Sequence, residues 1–373
     1  MKKIQRLLFL LSFGFSCLFA NQSDPAYDLL MLFDDLSPAL VSETKLPVII
    51  TDFGKTDFQF SKDMKLLSVQ ISPTSKKDLK KLHQYIRDSY KTLYIDTDTL
   101  KTWIKNGIRM DLDLRNEMGR LLISKAVFDG NNKLDLPPDV LILDAIKANV
   151  YNDYHSQNVF ILGHRNEERQ LFSNPVWLYT DEGDGVEEMI FALPTPHDGG
   201  YDYKLTAISS SAIQLEADTT SFSYLLITSE TGGSGGIQNA LVMDVRLKYP
   251  KPILNSDSFT LLDFTGEYLP GYKALLRFTE KDSTILSLKK RKKILHEAKV
   301  YQDGQLLQKV ELWGNFFVGT AYLPVNKQNN KSSLVIYQEV RGFANIDRIA
   351  LIETHLSLKG SEWIVTKKKI KAY

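Results

Sequence analysis

The chain has a single cysteine, Cys17, and it falls in a stretch expected to be cut away. A processed chain without thiols has no disulfide staple, no cysteine nucleophile and no thiolate-ligated metal. Histidine is scarce too. The six present include no H-E-x-x-H and no paired spacing, which speaks against a catalytic zinc site. Neither sign of charge dominates. With Lys2, Lys3 and Arg6 set aside, 43 basic residues face 45 acidic ones, so no global attraction to nucleic acid is expected. Beyond Ala20 no apolar run approaches the roughly 20 residues a spanning helix needs, so no transmembrane helix is expected after processing.

What is present begins with Lys2, Lys3 and Arg6, followed by an apolar run from Leu7 to Ala20. A positive start and an apolar run of about 14 residues make a signal peptide over residues 1–20, and the product is expected in the periplasm or outside the cell. Lipid anchoring at Cys17 is disfavoured by Gly14, which stands where lipoprotein signals carry leucine. Stability must then come from an ordinary core, which a chain of this length can supply in two parts.

The first part, residues 21–157, reads as mixed and helix-dominated. Leu29, Leu30, Phe33, Leu36 and Leu40 have helical spacing. Leu46–Ile50 and Lys65–Ile71 read as short strands. Ser75-x-x-Asp78 opens a helix with Leu79, Leu82, Ile86 and Tyr90 on one face. Further helices are expected through Leu100, Trp103 and Ile104, through Leu114 to Leu122, and from Val140 to Tyr151. The second part, 158–373, carries short β-favouring runs between turn signals, including hairpins at Asp303-Gly304 and Lys359-Gly360. The expected fold class is therefore α+β: a helix-rich N-terminal region, then a larger antiparallel β region built as a sandwich or partial propeller.

The stretch with the most chemical content runs from Phe222 to Leu247. Two β-favouring runs flank Gly232-Gly233-Ser234-Gly235-Gly236, and the second alternates with Leu241, Met243, Val245 and Leu247 on one side. The glycines fit G-x-S-x-G, which presents a nucleophilic serine on a strand-to-helix turn. Downstream Asp257, Asp263, His296 and His355 would complete the order Ser, Asp, His. A strand, not a helix, follows Gly236, so a glycine hairpin is the better reading of Ser234.

A second candidate is the acidic, aromatic segment holding Trp177, Tyr179, Asp181, Glu182, Asp184, His197, Asp198 and Tyr201. Its carboxylates have the hard oxygens calcium takes, or could serve as an acid and base pair on a glycosidic bond; its rings could stack on a sugar or anchor a protein. The spacing is not that of an EF-hand, and neither is that of Asp129–Asp135, so no cofactor is expected and calcium is the one metal considered. Lys289-Lys290-Arg291-Lys292-Lys293 is the one dense basic run. It reads as a solvated turn, a protected strand edge, or a contact for an anionic envelope polymer or phospholipid surface. Taken together, these residues point to an exported binding or structural protein of the envelope or extracellular space, with a protein or glycan partner. A secreted hydrolase using Ser234 or the Asp181–Asp198 cluster is the rival reading.

Overall fold

The computed structural model describes Leu29, Phe33, Leu36 and Val41, and residues 48–90, 94–115, 117–128, 136–137, 140–151, 155–165, 172–181, 188–194, 199–210, 222–232, 237–246, 250–257, 262–326 and 331–373. Over these residues the chain is mostly antiparallel β, with 23 strands against three α-helices, the longest of 15 residues. Among the described residues the expected helix-rich N-terminal region is not there. The chain divides into two compact units, one of residues 1–146 with 160–171, the other of 147–159 with 172–373.

In the first unit, after a short helix α1 (Val48–Thr51), strands β1 (Lys55–Phe60), β2 (Leu66–Ser72), β4 (Leu100–Lys105), β5 (Ile108–Asp113), β6 (Arg120–Lys125) and β7 (Leu141–Ala148) lie in the order β1-β2-β6-β5-β4-β7. A two-residue β3 (Ile95–Asp96) pairs with β4. Helix α2 (Lys76–Tyr90) is the expected one. Ser75 Oγ accepts from Asp78 N at 3.1 Å and donates to its carboxylate at 2.6 Å, while Leu82 and Ile86 are fully buried. Leu46–Ile50 is overturned at its end, where Val48 to Ile50 are helical.

Three expected helices are strands, two of them for one physical reason. In β4, Thr102, Trp103 and Ile104 are all buried, so both faces of the strand carry apolar or satisfied side chains. A strand covered on both sides puts apolar residues at neighbouring positions, which mimic helical spacing in a short window. The same holds for β7, where the helix from Val140 to Tyr151 was expected. The helix expected through Leu114–Leu122 instead falls on the turn between β5 and β6 and on the start of β6, where Leu121 and Ile123 are buried between less buried neighbours. Between β4 and β5, Asn106 and Gly107 have φ of 49° and 78°, the two left-handed positions of a tight hairpin. A Cβ on Gly107 would stand 2.8 Å from Leu141 Cδ1, so this turn needs glycine for space as well as for φ.

The second unit holds the hairpin β9 (Ser173–Asp181) and β10 (Glu188–Ala192). It also holds the sheet β11 (Tyr201–Ser209), β12 (Ser223–Glu230), β13 (Gln238–Asp244), β14 (Lys251–Asn255), in that order. β8 (Gln157–Arg165) runs across the division between units. The central stretch is the hairpin its sequence suggests: Glu230 pairs with Gln238, and Thr231 N donates to Ile237 O at 3.1 Å. β13 departs from the half-buried strand expected. Every residue from Asn239 to Asp244 is buried, so both its faces are covered.

The rest of this unit begins with a three-stranded sheet, β15 (Thr265–Leu269), β16 (Lys273–Thr279) and β17 (Asp282–Ser287). A 3-10 turn η1 (Lys289–Arg291), helix α3 (Lys292–Glu297) and the small hairpin β18 (Tyr301–Gln302), β19 (Gln305–Leu306) follow. The chain closes in four long strands, β20 (Trp313–Asn326), β21 (Lys331–Arg341), β22 (Arg348–Lys359) and β23 (Glu362–Ala372). One face of this last sheet is apolar towards both ends, with Leu334 opposite Leu356 and Val340 opposite Ala350, and carries buried Gln338 and Thr354 between them. Leu334, Ile336, Leu356 and Leu358 pack with Phe222, Tyr224, Leu226 and Val242 of the β11–β14 sheet. Val340, Ala350 and Ile352 pack instead with Tyr268, Ala274, Leu276 and Leu295. A single face of the sheet is therefore shared by two cores.

Candidate functional site

The basic run on η1 and α3 is organised by its middle residue. Leu288 and Leu295 are buried on either side of it, which fixes the segment against the core beneath. Arg291 turns inward, 2.8 Å from Oδ1 of Asp347, a carboxylate with no exposed surface. The approach is off the hydrogen-bond line, leaving Oδ1 and Arg291 Nε without hydrogen-bond partners among the described residues, so charge holds the pair. The other carboxylate oxygen, Oδ2, accepts from Tyr268 Oη and from Phe343 N at 3.0 Å. Burial, followed by the carboxylate beside it, pushes the Tyr268 phenol far up, so it remains a donor.

Around this centre the rings are stacked. Tyr268 and Tyr301 are 6.0 Å apart, Tyr301 and Tyr272 4.8 Å, and Tyr272 and His296 6.3 Å. Burial pushes the Tyr301 phenol up to about 12, and its hydroxyl lies 2.7 Å from Leu269 O and 3.1 Å from Lys273 O. His296 Nε2 meets Tyr272 Oη at 2.9 Å and accepts from Asp303 N at 3.3 Å, which ties α3 to the β18–β19 turn.

With Arg291 held inward, the four lysines beside it are left outside. Lys289, Lys290, Lys292 and Lys293 are all exposed, and among the described residues no carboxylate lies within ion-pair distance of their ammonium groups. Lys292 Nζ sits 4.9 Å over the Tyr272 ring, a cation–π contact that leaves its charge in place. Ile294, in the same short helix, is 46% exposed. The result is a cationic ledge with one apolar side chain in it.

A second polar assembly lies on the β20–β23 sheet, on the face opposite its apolar one. Glu353, nearly fully buried, takes Lys369 at 2.6 Å and Lys371 at 2.5 Å, and meets His355 Nε2 at 2.8 Å. The two lysine hydrogen bonds, ahead of burial acting the other way, lower the Glu353 carboxyl to about 2. Glu339, also buried, is held by Arg341 at 2.6 Å and by Arg348 at 3.2 Å. Both carboxylates are matched by cations of the same sheet. The assembly closes on itself.

The residues singled out in sequence fare differently. Trp177 and Tyr179 share a face of β9, but Tyr179 is 4% exposed, too little for a stacking platform. Asp181 ends β9 opposite Glu188, and Tyr201 opens β11 with its ring 5.3 Å from Phe172. Burial, ahead of the charges of Glu230 and Asp202, raises the Tyr201 phenol. Glu182, Asp184, His197, Asp198 and Ser234 lie outside the described residues, as does the Asp129–Asp135 loop. The two histidines downstream of Ser234 are engaged elsewhere, His296 with Tyr272 and His355 with Glu353. Among the described residues no group of three or more His, Cys, Asp or Glu side chains is placed to hold a metal ion. No described helix is long and apolar enough to cross a membrane, which says nothing of strands.

Sequence reading missed the inward role of Arg291 and the local charge. Residues 262–371 hold 19 basic and 11 acidic side chains, whereas 1–261 hold 27 basic and 34 acidic, an imbalance that the whole-chain total conceals. In class this is a largely antiparallel β protein whose C-terminal region is cationic. That same region, residues 262–371, is similar to a protein family described as the YybI C-terminal domain, a match over less than a third of the chain. No curated protein and no solved structure matches the chain.

Proposed function

We propose that the protein is an exported binding protein of the cell envelope or extracellular space, and that its C-terminal region makes the contact with an anionic partner. The observation that carries this reading is the ledge itself: four exposed lysines with no described carboxylate within ion-pair distance, on a turn locked in place by Arg291 and Asp347. Lysines that only solubilise a surface need no such fixed base. A pinned set presents its charges together, which favours encounter with a polyanion at modest ionic strength. Export rests on Lys2, Lys3, Arg6 and the apolar run to Ala20.

The test has two arms. Residues 1–25 fused to a reporter active only outside the cytoplasm should give activity, and a Leu10→Arg change in the apolar run should abolish it. Retention of the purified protein on immobilised heparin should fall when Lys289, Lys290, Lys292 and Lys293 are changed together to Gln. Unchanged retention, with the melting temperature preserved, would remove the cationic contact from consideration.

A further inference from the structure

We propose that the Lys289–Lys293 ledge is a docking surface for an anionic phospholipid bilayer, with Ile294 entering the interface; this rests on the cationic contact proposed above and names its partner. Two independent features carry it. The first is charge. Lys289, Lys290, Lys292 and Lys293 face outward, and the one exposed acid of the same segment, Glu297, leaves the ledge clearly positive. The inward Arg291 is neutralised by Asp347 and takes no part.

The second feature is Ile294. Across η1 and α3 the residues at 290, 293, 294 and 297 fall three and four apart, so Lys290, Lys293, Ile294 and Glu297 share one side of this short helical segment, with two cations to one acid, across from buried Leu295. A soluble acidic polymer gains nothing from an isoleucine 46% exposed beside the lysines. A bilayer surface does, because it offers phosphate to the ammonium groups and acyl chain to the isoleucine a few ångströms deeper. Lysines on flexible stems reach the headgroups while their methylenes lie beside the apolar side chain. The base is rigid: the stacked Tyr268, Tyr301 and Tyr272 rings and the Arg291–Asp347 pair hold η1 and α3 to the body. Docking therefore orders little besides the lysine side chains themselves.

The experiment is co-sedimentation of the full processed chain with vesicles of phosphatidylglycerol and phosphatidylcholine in equal parts, against phosphatidylcholine alone, with heparin as a soluble polyanion. Binding to the mixed vesicles and not to phosphatidylcholine alone is expected. Each lysine near an anionic surface is worth about fivefold in affinity, so Lys290→Gln with Lys293→Gln should weaken vesicle binding roughly 25-fold. Ile294→Ser should weaken vesicle binding roughly three- to tenfold while leaving heparin retention unchanged. Ile294→Phe, which keeps an apolar side chain, should bind vesicles at least as well as the natural protein. If Ile294→Ser leaves vesicle binding intact, or if the protein holds heparin but no vesicle, the bilayer proposal is overturned and the cationic contact stands. If the lysine changes alter neither vesicle nor heparin binding, both fall.

Discussion

Asp347 is the residue on which the C-terminal region depends most. Its carboxylate is fully buried and meets one cation, one phenol and one amide. Removing it leaves the inward-turned Arg291, whose side chain is 13% exposed, without its counter-charge, so Asp347→Ala should cost about 3–5 kcal/mol, read as a lower urea midpoint with an unchanged slope. Tyr268→Phe deletes only the donated hydrogen bond and should cost about 1–2 kcal/mol in the same measurement. Glu353 makes a different prediction, set by pH. Its carboxyl is lowered from an ordinary 4.5 to about 2, so its contribution is present above the ordinary value and is lost as pH falls towards 2. Lys369 and Lys371 are about half exposed, and the screening this allows reduces the contribution to about 1–2 kcal/mol. Urea midpoints near pH 6 and near pH 3 should therefore converge in Glu353→Gln relative to the natural protein, by about that amount. An equal drop in both proteins would show that Glu353 has no part in acid sensitivity.

At the scale of elements, turns and caps were legible where their chemistry is local. Ser75 and Asp78 announce α2 because a hydroxyl and a carboxylate three residues apart satisfy a helix start whatever surrounds them. Asp303-Gly304, with φ of 49° and 86°, marks its hairpin for the same reason. Asn106-Gly107 carries the same signal between β4 and β5, where the apolar spacing of Leu100, Trp103 and Ile104 predicts a helix that Gly107 would stop. A β-branched side chain there would combine left-handed strain with the approach to Leu141. Gly107→Val should lower stability by about 1–3 kcal/mol, measured by thermal melting, and should speed amide exchange in β4 and β5. Protection unchanged in those two strands would contradict the account of the turn.

For the molecule as a whole, the family similarity and the core disagree about where a folding unit ends. The similarity covers residues 262–371, whereas Leu334, Ile336, Leu356 and Leu358 within it bury their side chains against Phe222, Tyr224, Leu226 and Val242, outside it. Trp363 Nε1 also donates to Ile253 O at 2.6 Å. A fragment of 262–371 alone should expose that half of the sheet, bind an apolar dye and aggregate on size-exclusion chromatography. A fragment of 199–373, which keeps the β11–β14 sheet, should elute as a compact species. If the shorter fragment is monomeric and dye-silent, the shared core contributes little.

The sequence by itself determined the apolar run from Leu7 to Ala20, the lack of any cysteine beyond Cys17, the β character of the second half and several turns. Each of these depends on residue type or on neighbours within a few positions. Only the tertiary structure decided that the first unit is also strands, because a strand buried on both faces and a helix buried on one leave similar marks in a short window. The basic run shows the same division. Five cations in a row read alike, and only the placement of Asp347, far along the chain, separates the inward-turned Arg291 from the four lysines that face outward. Burial and charge pairing depend on contacts between distant residues, and pattern along the chain does not encode them.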